Sequence, residues 1–274
     1  MTISKIKIGV KEDGSPKILR LDKLFRPELD KVRARVRKKN WDYVALVAGL
    51  PGSGKSTFAR GLARYLCKWF SIDYVAFTGD QFIEITNECP EYSSVILDES
   101  FASLNSKLTQ TEDFIKIINH LQLIRQKHLY IFLCLPNFFD LAKGIAIFRS
   151  SHLFVTYANE KGDRGYFLAF DRDNKRKLYV RGSKFMDYNA QKANFYARFW
   201  ENEDILDIEE YDRRKEEHLK SQNKQESEKM HGKQERNKIL WKLYSEFNWK
   251  ATDIAKLAGL DDKSVYRTFN MFKK

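Results

Sequence analysis

The stretch that decides the fold is Gly49-Leu50-Pro51-Gly52-Ser53-Gly54-Lys55-Ser56. It has the spacing G-x-x-x-x-G-K-S, follows an apolar run over residues 43–47 and precedes a helical pattern that begins near Ser56. A strand before such a loop and a helix after it are typical of a loop that binds phosphate groups. Glycines let the backbone turn so that successive N–H groups face an anion, and the helix N-terminus adds partial positive charge. The sequence therefore predicts a P-loop.

The side chains in and after this loop have separate expected roles. Lys55 is expected to place a positive charge on the β- and γ-phosphates and to act in catalysis, and the Ser56 hydroxyl is expected to ligate Mg²⁺. The predicted cofactors are ATP and Mg²⁺. The residues expected to contact the nucleotide are Gly49, Leu50, Pro51, Gly52, Ser53, Gly54, Lys55, Ser56 and Thr57.

Two adjacent acids follow the apolar run over residues 95–97. Asp98 is expected to hold the coordination shell of Mg²⁺, and Glu99 is suited to orient and deprotonate an attacking water. An acid pair after a strand also commonly caps a helix. With a P-loop upstream, we interpret the pair as part of the same site.

Short apolar runs alternate with segments long enough for helices. The runs cover residues 43–47, 74–77, 95–97, 129–135 and 153–156, and the clearest helical stripes cover 56–70 and 112–127. This alternation predicts an α/β fold with a mostly parallel sheet. After residue 156 the pattern changes to a predicted β-hairpin extension, with strands over 165–170 and 177–180 around a turn at 171–174.

Composition excludes several classes of protein. The chain has 274 residues, of which 43% are hydrophobic and 31% charged, so a packed core is expected. No apolar run approaches the roughly 20 residues of a membrane span, and no signal peptide pattern opens the sequence. Cys67, Cys89 and Cys134 have no C-x-x-C spacing, which argues against a disulfide framework or a zinc site. A cytoplasmic location without a membrane partner is expected, in the host cytoplasm if the protein is viral.

Charge is concentrated at the two ends of the chain. The net charge is +12, with +8 over residues 1–41, +4 over 42–200, −4 over 201–234 and +4 over 235–274. Basic ends suit a polyanion such as DNA, although lysine-rich surfaces also serve solubility alone. We predict a basic N-terminal extension over 1–41, a P-loop domain over 42–200, a charged linker or helix over 201–234 and a small helical domain over 235–274.

The last segment has the pattern of a helix-turn-helix. Ala255 lies where the two helices would touch, Gly259 in the turn, and Thr252 and Asp261 or Asp262 at expected N-caps. A preceding helix over 237–247 would complete the core. A helical hairpin used for oligomer contact is the alternative. The residues expected to face a DNA groove are Lys263, Ser264, Tyr266, Arg267 and Asn270.

Three stretches together resemble a known group of proteins. They are Ile96-Leu97-Asp98-Glu99, then Ile124-Arg125-Gln126-Lys127, then Leu129-Tyr130-Ile131-Phe132-Leu133-Cys134-Leu135-Pro136-Asn137, and the segment 162–182 continues the likeness. The stretch over residues 94–182 resembles the FtsK/HerA translocases, especially the phage Zot-like ATPases. The resemblance implies a P-loop ATPase with an added strand and a catalytic glutamate.

The resemblance also implies roles for residues outside the P-loop. In that group a polar residue, usually Gln, ends the fourth strand and senses the γ-phosphate or water, and by position this residue is Asn137. Ring-forming members complete the site with an arginine from the neighbouring subunit, for which Arg149 is the first candidate and Arg125 the second. A single arginine also commonly has a structural role. Asn105 is a further candidate contact, or else a loop or cap residue.

These features predict an ATP-driven motor or switch that acts on DNA in a phage, plasmid or related mobile element. Translocation, packaging or remodelling of DNA by a ring of identical subunits is the leading function, with no small-molecule substrate besides the nucleotide. One alternative is a nucleotide kinase, although a kinase generally lacks an acid pair that activates water. The other is a DNA-binding regulator with ATP as a switch.

Overall fold

The computed structural model describes residues 2–98 and 112–272, and the chain forms two compact units, Met1–Tyr211 and Asp212–Lys274. The strands are β1 Ile3–Val10, β2 Pro16–Asp22, β3 Tyr43–Ala48, β4 Val75–Ala76, β5 Ser94–Leu97, β6 Tyr130–Leu135, β7 His152–Tyr157, β8 Tyr166–Phe170 and β9 Phe195–Arg198. The α-helices are α1 Arg26–Lys39, α2 Lys55–Leu66, α3 Gly79–Glu88, α4 Glu112–Leu123, α5 Arg172–Gly182, α6 Ile208–Ser245, α7 Ala251–Ala258 and α8 Asp262–Phe272. Short 3-10 helices cover Ile72–Tyr74, Ile124–Lys127, Phe138–Asp140 and Tyr188–Ala190, and a π-helical turn covers Gly144–Arg149.

Seven strands form one sheet in the order β4-β5-β6-β3-β7-β8-β9. The first five are parallel, and β8 and β9 extend the sheet antiparallel beside β7. Alternate residues of β3 belong to two separate hydrophobic clusters, because successive side chains point to opposite faces and both faces are covered. The predicted α/β fold is confirmed, and β6 is the strand added between the P-loop strand β3 and the strand β5 before Asp98.

The basic N-terminal segment is part of the first unit. Strands β1 and β2 pair as an antiparallel hairpin, and α1 follows. Leu19, Phe25 and Leu29 are buried in the same cluster as Phe58 of α2. The ring of Phe25 also lies 4.9 Å from that of Phe167, measured between centroids. The predicted boundary at residue 41 therefore falls inside one hydrophobic core.

The strand predicted over residues 177–180 is wrong, because that segment lies in helix α5. The carboxylate of Asp171 accepts a hydrogen bond of 2.8 Å from the backbone N–H of Asn174, so the predicted turn is a helix N-cap. Lys175 and Leu178, three positions apart, are both buried against the core. The antiparallel partner of β8, besides β7, is β9, which lies further along the chain.

Most of the segment predicted as a charged linker or helix, over residues 201–234, belongs to one helix of 38 residues, α6. This helix continues through the boundary predicted between residues 234 and 235 and includes most of the helix predicted over 237–247. Helices α7 and α8 follow, and Gly259 ends α7 with a φ of 62°. The core of the second unit contains Leu240, Ala251, Ile254, Ala255, Val265 and Phe269.

The caps of the last two helices differ from each other. Lys250, not Thr252, occupies the N-cap position of α7, so the cap predicted at Thr252 is wrong. The carboxylate of Asp261 accepts a hydrogen bond of 2.9 Å from the N–H of Ser264, as a cap of α8 requires. Thr268 occupies a buried position where an apolar residue is usual, and its hydroxyl donates to the carbonyl of Ser264 at 3.0 Å. That bond satisfies the hydroxyl inside the core.

Among the described residues, no helix combines the length and the apolar character needed to cross a membrane.

Two basic groups, of which one is fully buried and one half-buried, make stability depend on pH. Lys175 is fully buried, its amino group donates to the carbonyl and the hydroxyl of Ser150, and burial lowers its pKa to about 7. Burial also lowers the pKa of His152 to about 4. In the unfolded chain the pKa values are the ordinary ones, 10.5 for lysine and 6.5 for histidine. Between the lowered value and the ordinary value of each group, the unfolded chain therefore binds more protons than the folded chain. The free energy of unfolding should therefore rise with pH from 4 to 6.5 through His152 and from 7 to 10.5 through Lys175.

Replacement of Lys175 by methionine should flatten the upper part of this rise. Urea unfolding of Lys175→Met at pH 7 and pH 9 is expected to give similar free energies, whereas the wild type gains stability over that interval. Lys177→Met, an exposed change on the same helix, is the matched control and should keep the wild-type slope. Equal slopes in all three proteins would contradict the assignment to Lys175.

Candidate functional site

The loop between β3 and α2 requires its glycines, either for backbone conformation or for lack of space. Gly52 and Gly54 have φ values of 77° and 90°, in the region that favours glycine. A Cβ atom at Gly49 would lie 2.4 Å from the carbonyl oxygen of Thr156, and one at Gly54 would lie 2.8 Å from the ring of Phe199. The backbone can therefore form a cradle for phosphate oxygens only because these positions are glycine.

Polar side chains fix the loop in this shape. The Ser53 hydroxyl hydrogen-bonds that of Thr156 at 2.7 Å, which ties the loop to β7. The Lys55 ammonium donates to the carbonyl oxygens of Gly49 at 2.9 Å and Leu50 at 3.1 Å, so the lysine spans the loop. Gly54 is the N-cap of α2 and has no side chain to occupy the first N–H groups of that helix. Positive charge is thus directed toward the cradle.

A serine and an aspartate form the second part of the site. The Ser56 hydroxyl lies 3.0 Å from Oδ1 and 2.9 Å from Oδ2 of Asp98. Asp98 follows β5, which is two strands and roughly 10 Å from β3 in the sheet, and its side chain reaches back to α2. Asp98 is 1% exposed, and its backbone N–H donates to the carbonyl of Ala76 at 2.8 Å. A hydroxyl next to a buried carboxylate, beside a phosphate cradle, is an oxygen donor set that fits Mg²⁺.

Tyr211 belongs to this site although the sequence analysis did not identify it. Its hydroxyl donates a hydrogen bond to Oδ2 of Asp98, and the residue is 4% exposed. Burial and the adjacent charge of Asp98 raise the pKa of Tyr211. The hydroxyl therefore stays protonated and acts as a donor to Asp98. The sequence signal was weak: Ile208 and Tyr211 are apolar positions three apart at the start of a charged segment.

Arg164 is a second residue that the sequence did not reveal. A Cβ atom at Gly52 would lie 3.6 Å from a terminal nitrogen of its guanidinium, so this cation lies over the P-loop of its own chain. Arg164 precedes β8 in the loop after β7 and is exposed.

Thr57, predicted to contact the nucleotide, accepts a hydrogen bond from Arg60 at 3.3 Å.

The remaining predicted catalytic residues do not converge on the cradle in the described part of the chain. Glu99 and Asn105 lie outside the described residues. Asn137 follows β6 at the same edge of the sheet, where its amide nitrogen donates to Asp140 at 2.9 Å and its oxygen accepts from Tyr188 at 3.1 Å. That oxygen also accepts from the backbone N–H of Phe139 at 3.3 Å, so the side chain caps a 3-10 turn, and the sensor role remains a prediction.

Arg149 lies in a different environment from the one expected of an arginine that reaches a neighbouring subunit. It forms an ion pair with Asp42, next to the start of β3 and thus at the opposite end of that strand from the P-loop. It also donates to the carbonyl oxygen of Leu121. Arg125 and Arg149 line one cavity of about 470 Å³. In this chain Arg149 joins α4 to the sheet, and its role in a neighbouring site remains a prediction.

The residues predicted to contact DNA lie along helix α8. Lys263, Tyr266, Arg267 and Asn270 are exposed, whereas Ser264 is half-buried and its hydroxyl donates to Asp261 at 2.7 Å. These four exposed side chains form a polar surface of the second unit. Val265 and Phe269 of the same helix are apolar and buried. The arrangement is compatible with the predicted use of this helix.

Comparison with solved structures finds similar folds at low sequence identity. The genome packaging NTPase of Sulfolobus turreted icosahedral virus 2, solved with ATPγS, is 15% identical over 49% of this chain and 94% of its own, with a TM-score of 0.35. The N-terminal domain of zonular occludens toxin from Neisseria meningitidis is 14% identical over 60% of this chain and 97% of its own, with a TM-score of 0.40. The FIGL-1 AAA domain is 13% identical over 60% and 70%, with a TM-score of 0.39. The predicted resemblance to Zot-like ATPases is confirmed as a similarity of structure only.

No protein-family model matches the chain, and no curated protein matches it.

Proposed function

We propose that this protein hydrolyses ATP with Mg²⁺ at the P-loop. The observation that carries the proposal is the contact of Ser56 with Asp98, directly beside a loop in which Gly49 and Gly54 cannot be replaced without clashes. Bound Mg²⁺ would supply positive charge to the β- and γ-phosphate oxygens. Ser56 and Asp98 are the residues that would hold it, Ser56 as a ligand and Asp98 in its coordination shell.

The chain's own groups account for the rest of the proposed reaction. Backbone N–H groups of the loop and the Lys55 ammonium bind the phosphates and stabilise the charge that develops on them. Glu99, one residue after Asp98, accepts a proton from the attacking water. Arg164 lies over Gly52, so it adds a second cation within the same chain. An acid that directly follows Asp98 in the sequence, where a catalytic glutamate is expected, favours hydrolysis over phosphoryl transfer by a kinase.

DNA is the proposed partner, on the strength of charge. Five basic side chains from β1, α1 and the end of α2 line one cavity of about 360 Å³, together with a single carboxylate, Asp30. They are Lys7, Arg26, Arg33, Arg64 and Lys68. The excess of cations suits a phosphodiester backbone. We propose that ATP hydrolysis drives translocation, packaging or remodelling of DNA by a ring of identical subunits in the cytoplasm.

A regulator that uses ATP only as a switch is the second candidate. The exposed polar surface of α8 supports this candidate, because a regulator needs a helix that binds DNA. A motor could use the same helix. Under this alternative the nucleotide changes affinity for DNA while turnover stays negligible.

Steady-state ATP turnover with and without DNA separates these functions. A motor predicts Mg²⁺-dependent turnover that single- or double-stranded DNA stimulates, with heparin as a polyanion control that does not stimulate it. Negligible turnover together with ATP-dependent DNA binding would support the switch instead. Transfer of phosphate to a nucleotide acceptor would support a kinase and contradict the proposal.

A further inference from the structure

The hydroxyl of Tyr211 lies where the proposed metal-binding residues meet. The Ser56 hydroxyl lies 3.0 Å or less from both carboxylate oxygens of Asp98, and the Tyr211 hydroxyl donates to Oδ2 of the same carboxylate. A carboxylate oxygen has a limited number of lone pairs, and Oδ2 of Asp98 already accepts from Ser56 and from Tyr211. Water molecules of a metal shell would need the same acceptor positions.

The ring of Tyr211 is held firmly in this place. The Arg60 guanidinium lies 4.5 Å from the ring centroid, and the centroid of the Phe77 ring lies 5.6 Å from it. The backbone N–H of Tyr211 donates to the carbonyl of Asp207 at 3.1 Å, within the first turn of α6. The contact with Asp98 is therefore a built feature of the first unit, formed by residues 113 positions apart in sequence.

A buried carboxylate is stabilised by the hydrogen-bond donors around it. Asp98 is almost fully buried, and Tyr211 and Ser56 both donate to it. Hydrogen bonds to charged groups are stronger than those between neutral groups. The donor from Tyr211 therefore stabilises the site before metal binds, and a metal with its waters has to replace that bond.

We propose that Tyr211 is a positioning residue that holds Asp98 in the metal-free site and that Mg²⁺-nucleotide displaces its hydroxyl from the carboxylate. This inference rests on the proposed nucleotide site. It predicts that removal of the hydroxyl favours the metal-bound form, because less is lost when the metal enters. A single hydrogen bond to a charged group corresponds to about tenfold or more in an equilibrium constant.

Tyr211→Phe tests the proposal, since it removes the hydroxyl and keeps the ring next to Arg60 and Phe77. The quantity to measure is the ratio of the dissociation constant of ATPγS in EDTA to that in excess Mg²⁺, by calorimetry or fluorescence displacement on the full chain. We expect this ratio to rise about tenfold in Tyr211→Phe, with the constant in EDTA unchanged. Tyr65→Phe is the matched control, because Tyr65 donates to Asp30 at 2.5 Å in the last turn of α2 and its loss should leave the ratio unchanged.

The possible results distinguish this inference from the proposed function. A wild type that binds ATPγS more tightly with Mg²⁺, but with an unchanged or lower ratio in Tyr211→Phe, would overturn the role of Tyr211 and leave the nucleotide site standing. A wild type that binds no nucleotide would overturn both. A second measurement guards against a folding defect: the ¹³Cζ resonance of Tyr211 in tyrosine-labelled wild type, assigned by its absence in Tyr211→Phe, should shift on addition of Mg²⁺ and ATPγS. A resonance that does not shift would contradict displacement.

Discussion

Lys55→Ala is expected to bind ATP about 10- to 100-fold more weakly than the wild type and to show no measurable turnover. The reason is that its ammonium already spans the P-loop, with hydrogen bonds of 2.9 and 3.1 Å to the carbonyl oxygens of Gly49 and Leu50. Loss of one hydrogen bond to a charged phosphate costs about 1.5–3 kcal/mol in binding. Loss of a cation positioned for the transition state adds a further penalty in rate. Equilibrium binding of ATPγS and steady-state turnover measure the two effects.

Lys68→Ala is the matched control for this change. Lys68 is an exposed lysine two residues after α2, so the variant has the same change in charge at the other end of the same helix. Its ATPγS binding should equal that of the wild type. Normal turnover in Lys55→Ala would show that the cradle is not the site of hydrolysis.

Glu99→Gln is expected to keep ATP binding and to lose turnover by about 10²- to 10⁴-fold, the usual contribution of a general base. The amide retains the shape of the side chain but cannot accept the proton of the attacking water. Asp98, the adjacent residue, keeps its contact with Ser56, so the proposed metal site should be intact. Pre-steady-state and steady-state release of phosphate, together with ATP binding, test this expectation.

Glu91→Gln serves as the control, since it makes the same chemical change at an exposed residue shortly before β5. Turnover in this variant should be unaltered. If Glu99→Gln also turns over ATP at the wild-type rate, Glu99 has no part in the mechanism, and another group must activate water.

The parts of the site that could be predicted from sequence are those encoded in short contiguous stretches. The P-loop and the strand before Asp98 are local patterns with one structural interpretation, and alternation of apolar runs indicated the parallel sheet. The structure places Ser56 against Asp98, 42 positions apart, because the helix after β3 and the end of β5 meet at one edge of the sheet.

Contacts between distant segments could not be predicted in this way. Tyr211 reaches Asp98 from a segment whose charged composition indicated a linker or a solvated helix, and Arg164 reaches Gly52 from a loop with no distinctive pattern. The hairpin pattern around residues 171–174 predicts a strand over 177–180, but the cap at Asp171 and the burial of Leu178 favour a helix. The position of Arg149 in the sequence predicts an arginine that reaches a neighbouring subunit. Its environment in the structure depends on the ion pair with Asp42, which is remote in sequence.

A crystal structure of the protein with Mn²⁺ and ATPγS, with anomalous diffraction to locate the metal, tests the central claim most directly. The account predicts one metal peak roughly 2.2 Å from the Ser56 hydroxyl, next to Asp98, with the γ-phosphate inside the loop of Gly49, Gly52 and Gly54. A metal bound elsewhere, or a nucleotide outside this loop, would contradict it.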